Sequence, residues 1–353
     1  MKRRTFLKIT SAFGSVATAQ RTAWSGISFR PQGMLKYVFR GGNCFYQDAW
    51  QVRDIGIDEN GKIKIAASDT LEAREVINVQ NKIIAPGFID ILADNAANPE
   101  KTFGIFEKYK VGDGVTTALQ MHGGTSDSAS YYRKFNGLPH IINFGISTSV
   151  MRIRYATTNF ADRKRRVEAC LEAGALGVSH SLEYMPTPFD ETLVYAKIAK
   201  KYSRPFFLHL RYSSRENELE GVEEAVRIAR ESGAHVHIDH LHSTGGTYHM
   251  KGALDKIREA NAQGLSMTCC VYPYSFWATY LHSKRFDEGW QQRYGLTYSD
   301  LRLVGTGERL TASSFARYRG EKKLVAVPEG TLPLETTVEF ALKESFCMIG
   351  SDG

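Results

Sequence analysis

From residue 83 to the end of the chain, short apolar runs alternate with helical runs seven or eight times. This alternation constrains the fold more than any other feature, because a strand followed by a helix and another strand sets the two strands parallel. Eight such repeats favour closure into a (β/α)8 barrel. Strands are expected at 83–92, 115–121, 140–147, 175–180, 206–209, 236–240, 265–272 and 346–350. Helices are expected at 99–109, 160–173, 190–202, 219–232, 250–262 and 334–343. In the helix from Leu219, Val222, Ala225, Val226, Ile228 and Ala229 form a stripe with a 3.6-residue period, and Glu218, Glu220, Glu223 and Glu224 fill the remaining positions. An open, doubly wound sheet is the structural alternative, but no Gly-x-Gly-x-x-Gly follows the first strand.

Ahead of the alternation, residues 34–82 read as short strands and turns, with Asn60-Gly61 between apolar runs as a hairpin signal. The break falls at Pro86-Gly87, so the expected domains are a small lobe over 34–82 and a barrel over 83–353. A chain of 353 residues with 42% apolar and 24% charged residues accommodates both. Residues 273–333 form an aromatic- and arginine-rich insertion between the seventh and eighth strands, longer than a connection needs and suited to a lid. The sequence stops at Gly353, just past the eighth strand and short of a closing helix, so a longer parent chain is expected.

The formal charge of +7 is local rather than spread over the chain. Residues 1–40 hold eight Lys or Arg and no acid, four of them ahead of Ala19. Cleavage after Ala19 leaves about +3, too little to argue for a polyanionic partner. Lys2-Arg3-Arg4-Thr5-Phe6-Leu7-Lys8, a mildly apolar stretch and Ala17-Thr18-Ala19 resemble a twin-arginine export signal, which implies a periplasmic or secreted protein. Arg163-Lys-Arg-Arg166 lies on a helix with acidic neighbours, and nucleic-acid binding is not expected. No run approaches about 18 apolar residues, so no membrane span is expected. The five cysteines are scattered and read as small buried hydrophobes.

In a barrel, the C-terminal ends of the strands converge on one mouth. His122, His180, His209, His240 and Asp352 all fall at expected strand ends. Any one of them alone would read as a hydrogen-bonded core or surface residue, but together they are groups that bind a metal. His140, His235 and His237 sit near strand starts or inside strands and read as structural.

Several motifs now line up in order: Pro86-Gly-Phe-Ile-Asp90, Gly114-Val-Thr-Thr117, Gly174-Ala-Leu-Gly-Val178, Leu182-Glu-Tyr-Met-Pro186, His209-Leu-Arg211, Ile238-Asp-His240, Tyr272-Pro-Tyr274 and Gly350-Ser-Asp-Gly353. From about residue 34 onward, the chain resembles the N-acyl-D-amino-acid deacylase branch of the amidohydrolase superfamily. The resemblance implies a barrel with a small β-sandwich lobe and a metal-dependent hydrolase acting on the amide of N-acyl amino acids, most often D-configured. It implies Zn²⁺, with His209 and His240 as ligands and Asp352 as the acid–base residue. The third ligand is left between His122 and Glu183. Arg211 or Tyr184 would hold the substrate carboxylate, although for Arg211 a surface ion pair is an equal reading. His242 is a candidate for supporting the ligands from behind.

The departures carry weight as well. Where relatives have His-x-His after Pro-Gly-Phe-Ile-Asp, this chain has Leu92 and Asp94, which argues against a second metal. Where the deacylase branch places a cysteine ligand, this chain has Gly123, preceded by His122. Two other readings stay open: a catalytically impaired relative that binds small molecules or a partner, and an amidohydrolase acting on cyclic amides or dipeptides.

Overall fold

Half-buried, β-branched and aromatic side chains draw the first lobe into one four-stranded mixed sheet. Its strands are β1 (Leu35–Tyr46), β2 (Ala49–Ile57), β3 (Ile63–Ala67) and β4 (Ala73–Asn78), in the order β3-β2-β1-β4 with β1 and β4 parallel. The computed structural model describes residues 34–93, 99–327, 332 and 334–352. The export segment at 1–19, Asp94 and Gly353 lie outside the described residues. The hairpin expected at Asn60-Gly61 joins β2 to β3, with Asp58 Oδ1 accepting from the backbone N–H of Asn60 and Lys62. Buried Asp54 ties the sheet by accepting from the N–H groups of Gly41, Thr70 and Leu71. Among the described residues the lobe is this single sheet, without a second layer to make it a sandwich.

By its contacts the chain divides into two compact units after Pro86. The second holds eight parallel strands, each paired with its neighbour in chain order, which is the order of a (β/α)8 barrel. They are β5 (Phe88–Asp90), β6 (Val115–Thr125), β7 (Asn143–Ser149), β8 (Val178–Ser181), β9 (Phe206–His209), β10 (Val236–Ile238), β11 (Met267–Val271) and β15 (Cys347–Ile349). The helices are α1 (Pro99–Gly112), α2 (Ser128–Phe135), α3 (Val150–Ala156), α4 (Phe160–Glu172), α5 (Phe189–Lys201), α6 (Leu219–Ser232), α7 (Leu241–Thr244) and α8 (Met250–Ala262), with α9 to α11 further on. The main core lies between the strands and these helices. Val222, Ala225, Ile228 and Ala229 of α6 are buried there, as their spacing predicts, and Gly233 ends the helix at φ +65°. No helix among the described residues is long and apolar enough to cross a membrane.

The seam between the first and last strands is closed by side chains. Ser351 N donates to Asp90 Oδ1 (3.2 Å), Lys110 Nζ donates to Asp90 Oδ2 (2.8 Å) and to Ser351 Oγ (2.9 Å), and Ser351 Oγ reaches Leu92 O (3.5 Å).

The insertion is a small folded body. Strands β12 (Trp277–Tyr280), β13 (Arg302–Leu303) and β14 (Leu324–Val327) form an antiparallel sheet in the order β12-β14-β13. Helices α9 (Trp290–Tyr294) and α10 (Ala312–Gly320) pack with it around Trp277, Phe286, Trp290, Leu301 and Phe315. After it, α11 (Leu334–Ala341) leads into β15.

Candidate metal centre

Three imidazoles meet at the C-terminal ends of β6, β9 and β10. One ring nitrogen from each of His122, His209 and His240 lies within 4.8 Å of the others. The ring centroids are 5.5 Å (His122–His209), 5.2 Å (His122–His240) and 4.6 Å (His209–His240) apart.

Local backbone irregularity aims each ring. The β6–β7 register breaks between Gln120 and Thr125, so His122 sits in an irregular stretch that redirects its side chain. Two residues on, Gly124 adopts φ +60°, where a Cβ would lie 2.5 Å from Ser147 Oγ. His240 follows β10 with φ +30°, an uncommon conformation for a residue with a Cβ. Its N–H donates to Cys270 Sγ (3.2 Å). Asp352 also lies in the left-handed region, at φ +57°. Such conformations persist where the surroundings over-determine them, as at binding and catalytic sites.

Hydrogen bonds to the far side of each ring set which nitrogen faces the cluster. Asp239 Oδ2 lies 2.8 Å from His122 Nδ1, and a carboxylate oxygen there accepts the Nδ1 proton. Glu183 Oε2 lies 2.8 Å from His209 Nε2 and accepts in the same way. Ser243 Oγ donates to His240 O (3.0 Å) and so accepts from His240 Nδ1 at 2.9 Å. In consequence, His209 Nδ1 and His240 Nε2 face each other 3.1 Å apart, both as acceptors. Two lone pairs at this distance repel unless a cation lies between them. Tetrahedral ligands about 2.0–2.1 Å from zinc stand about 3.4 Å from one another, close to this separation. The donor set therefore fits the ion.

Electrostatics agrees. Burial, ahead of the other causes, lowers the pKa of His209 to about 4 and that of His240 well below the ordinary 6.5, so both are neutral at pH 7, as ligation requires. For Glu183, burial alone would raise the carboxyl, but the Arg285 charge and His209 together hold it at about 2.

The remaining sequence candidates fall as follows. Asp352 Oδ1 is 3.9 Å from His240 Nε2, at the edge of the cluster. Tyr184 is packed against His209 with ring centroids 4.9 Å apart, and its hydroxyl pairs with Thr279 Oγ1 at 3.2 Å. Glu183 does not share the nitrogen cluster: both its oxygens are engaged, by His209, Arg285 and Tyr294, so it supports a ligand and His122 completes the trio. Arg211 is a second correction. Its guanidinium is committed to Glu224 (3.1 and 3.2 Å) and to Thr187 O (2.8 Å), because α6 brings Glu224 alongside it. His180 is a third, since its ring bonds Thr187 Oγ1 (2.8 Å) and packs beside Tyr195 of α5. His242 is fully buried 4.0 Å from the Tyr272 ring, and neither ring nitrogen has a partner among the described residues. Leu92 is 1% exposed, and its side chain has no atom that could ligate a metal.

No protein-family model matches the chain. It is 24% identical over 345 residues to an N-acyl-D-glutamate deacylase of Alcaligenes xylosoxydans xylosoxydans, covering 85% of this chain and 70% of that one. It superposes on the N-acyl-D-glutamate deacylase of Bordetella bronchiseptica, solved with zinc and a phosphonate mimic of the tetrahedral intermediate, with a TM-score of 0.75 at 22% identity, covering 91% and 76% of the two chains. A D-aminoacylase structure matches with a TM-score of 0.71 at 18% identity, over 90% and 76%. The chain is thus similar to N-acyl-D-glutamate deacylases and D-aminoacylases, and it shares their fold. Within this site, sequence reasoning missed Asp239, Ser243, Arg285 and Tyr294. Asp239 lay inside the Ile-Asp-His motif already singled out, and Arg285 and Tyr294 lay in the flagged insertion, where no spacing rule connects them to Glu183.

Proposed function

We propose that this protein is a metal-dependent hydrolase that cleaves the amide bond of N-acyl-D-amino acids, with one Zn²⁺ held by His122, His209 and His240. The observation that carries the reading is the pair of inward-facing acceptors, His209 Nδ1 and His240 Nε2, 3.1 Å apart with Asp352 beside them. The N-acyl-D-glutamate deacylase and D-aminoacylase relatives support the substrate class. Buried Leu92 supports a single ion.

When bound, the ion supplies Lewis acidity, polarising the amide carbonyl and lowering the pKa of water. The chain's own residues do the rest. The Asp352 carboxylate accepts a proton as water attacks the carbonyl carbon, then delivers it to the leaving nitrogen, so that a carboxylate and a free amino acid result. Ser351, anchored to Asp90 and Leu92, holds Asp352 at the mouth. Asp239, Glu183 and Ser243 fix the tautomers of the three imidazoles. Tyr184, its hydroxyl paired with Thr279 of the insertion, walls the site. The Lys2-to-Ala19 segment supports export by the twin-arginine route, to the periplasm or beyond.

The test is the metal content of the purified protein together with a substrate screen. About one zinc per chain, lost in His122→Ala, His209→Ala and His240→Ala, with turnover of N-acetyl-D-glutamate or a related N-acyl-D-amino acid and little of the L-isomer, is expected. Absence of metal after growth with zinc, or turnover confined to a hydantoin control, overturns the reading.

A further inference from the structure

The insertion reaches into the metal centre itself. We propose that Arg285 and Tyr294 are positioning residues: acting through the Glu183 carboxylate, they hold His209 in the tautomer and orientation that give its Nδ1 to the ion. This rests on the reading of the histidine cluster as a zinc site.

The Glu183 side chain is only 6% exposed, and its two oxygens divide their work. Oε2 meets His209 Nε2 at 2.8 Å, while Oε1 accepts from Arg285 Nε at 2.9 Å and from the Tyr294 hydroxyl at 2.5 Å. Arg285 is only 4% exposed and has a second contact with the site: Nη2 donates to Ser243 O at 3.3 Å, and Ser243 holds His240. One guanidinium therefore stands behind two of the three imidazoles. It is held firmly, stacked 4.3 Å above the Trp277 ring and 5.5 Å from that of Tyr294. Its turn, Lys284–Phe286, is pinned by Arg319 Nη1, which donates to Leu281 O and Phe286 O at 2.7 Å each. Phe286 belongs to the insertion's own core, so Arg285 sits on a packed body and not on a loose loop.

Without Arg285 and Tyr294, Glu183 Oε1 loses both of the donors that hold it, and the carboxylate is free to turn away from His209. His209 would then lose the bond that fixes its tautomer. Because linkage is reciprocal, zinc that binds better to the docked insertion must also hold the insertion in place.

The experiment measures zinc affinity by competition with a chromophoric chelator for wild type, Arg285→Met, Arg285→Lys, Glu183→Gln and the double variant Glu183→Gln/Arg285→Met. Hydrogen exchange over residues 284–294 is followed with and without zinc. Arg285→Met is expected to weaken zinc about 10- to 100-fold, Arg285→Lys less, and the double variant no more than Arg285→Met, because both changes cut one path. Zinc is expected to slow exchange at 284–294 in wild type and not in Arg285→Met. A purely structural ion pair would lower the melting temperature of the metal-free protein and leave zinc affinity as in wild type, which overturns the proposal while the zinc site stands. If Arg285→Met does not fold, wild-type affinity in the double variant overturns it equally. Wild type that binds no zinc overturns both readings.

Discussion

Asp352 and the histidines separate by function when each is replaced. In the proposed reaction Asp352, 3.9 Å from His240 Nε2, takes the proton of the attacking water and does not hold the ion, so Asp352→Asn should keep its zinc and lose about 10²- to 10⁴-fold in kcat. Zinc lost together with activity in Asp352→Asn would instead make it a ligand. His180 gives a test away from the histidine cluster. Burial, followed by the nearby Arg154 charge, lowers its pKa to about 3, below the ordinary 6.5. Between those values the folded protein binds fewer protons than the unfolded chain, so stability complete above pH 6.5 drains as pH falls toward 3, at up to about 1.4 kcal/mol per pH unit. His180→Gln carries no such proton. Its urea midpoint should fall less steeply with acid over that window, and parallel curves would discard the assignment. Its place at an expected strand end made His180 look like a ligand in the sequence. Only the β8–α5 contact shows that it turns outward to Thr187 and Tyr195.

Elements differ in how openly their sequence announces them. The α6 stripe is regular over four turns, and its bounds are those the periodicity predicts. Ile228 there is fully buried, and Ile228→Ala should cost about 2–5 kcal/mol by chemical denaturation, with Val226→Ala, which is only partly buried, costing less. Equal costs would mean that the stripe does not face the core as described. Short elements were harder to foresee. Helix α2 has eight residues, and its apolar face rests on Tyr131 and Phe135, too little for a periodic signal, although Asp127 caps it by accepting from Ser130 N. Helix α3 follows β7 without a break, so its first turn reads as a continuation of the strand. The apolar run at 83–92 yields a strand only at Phe88–Asp90, because Ile83 bridges to Asn43 in the small lobe.

For the whole barrel, closure depends on a buried ion pair at its seam. Asp90 and Lys110 are 6% and 9% exposed and 2.8 Å apart, and Asp90 also receives Ser351 N, next to Asp352. Lys110→Met leaves the Asp90 charge buried without its cation, and should cost about 3–5 kcal/mol in global unfolding while lowering kcat through Asp352. Loss of stability with kcat intact would separate the seam from the site.

The sequence by itself determined the repeating β/α order, and with it a barrel whose strand ends converge, because periodicity and strand-end placement are local properties. His122, His209, His240 and Asp352 could be named on that ground. The tertiary structure alone decided what each ring nitrogen faces. Tautomers depend on partners far away in the chain, such as Asp239 for His122 at a separation of 117 residues and Arg285 for Glu183 at 102. It also decided that Arg211 pairs with Glu224 and that Glu183 buttresses His209, since these roles follow from which charges are buried together, a property that spacing along the chain does not carry.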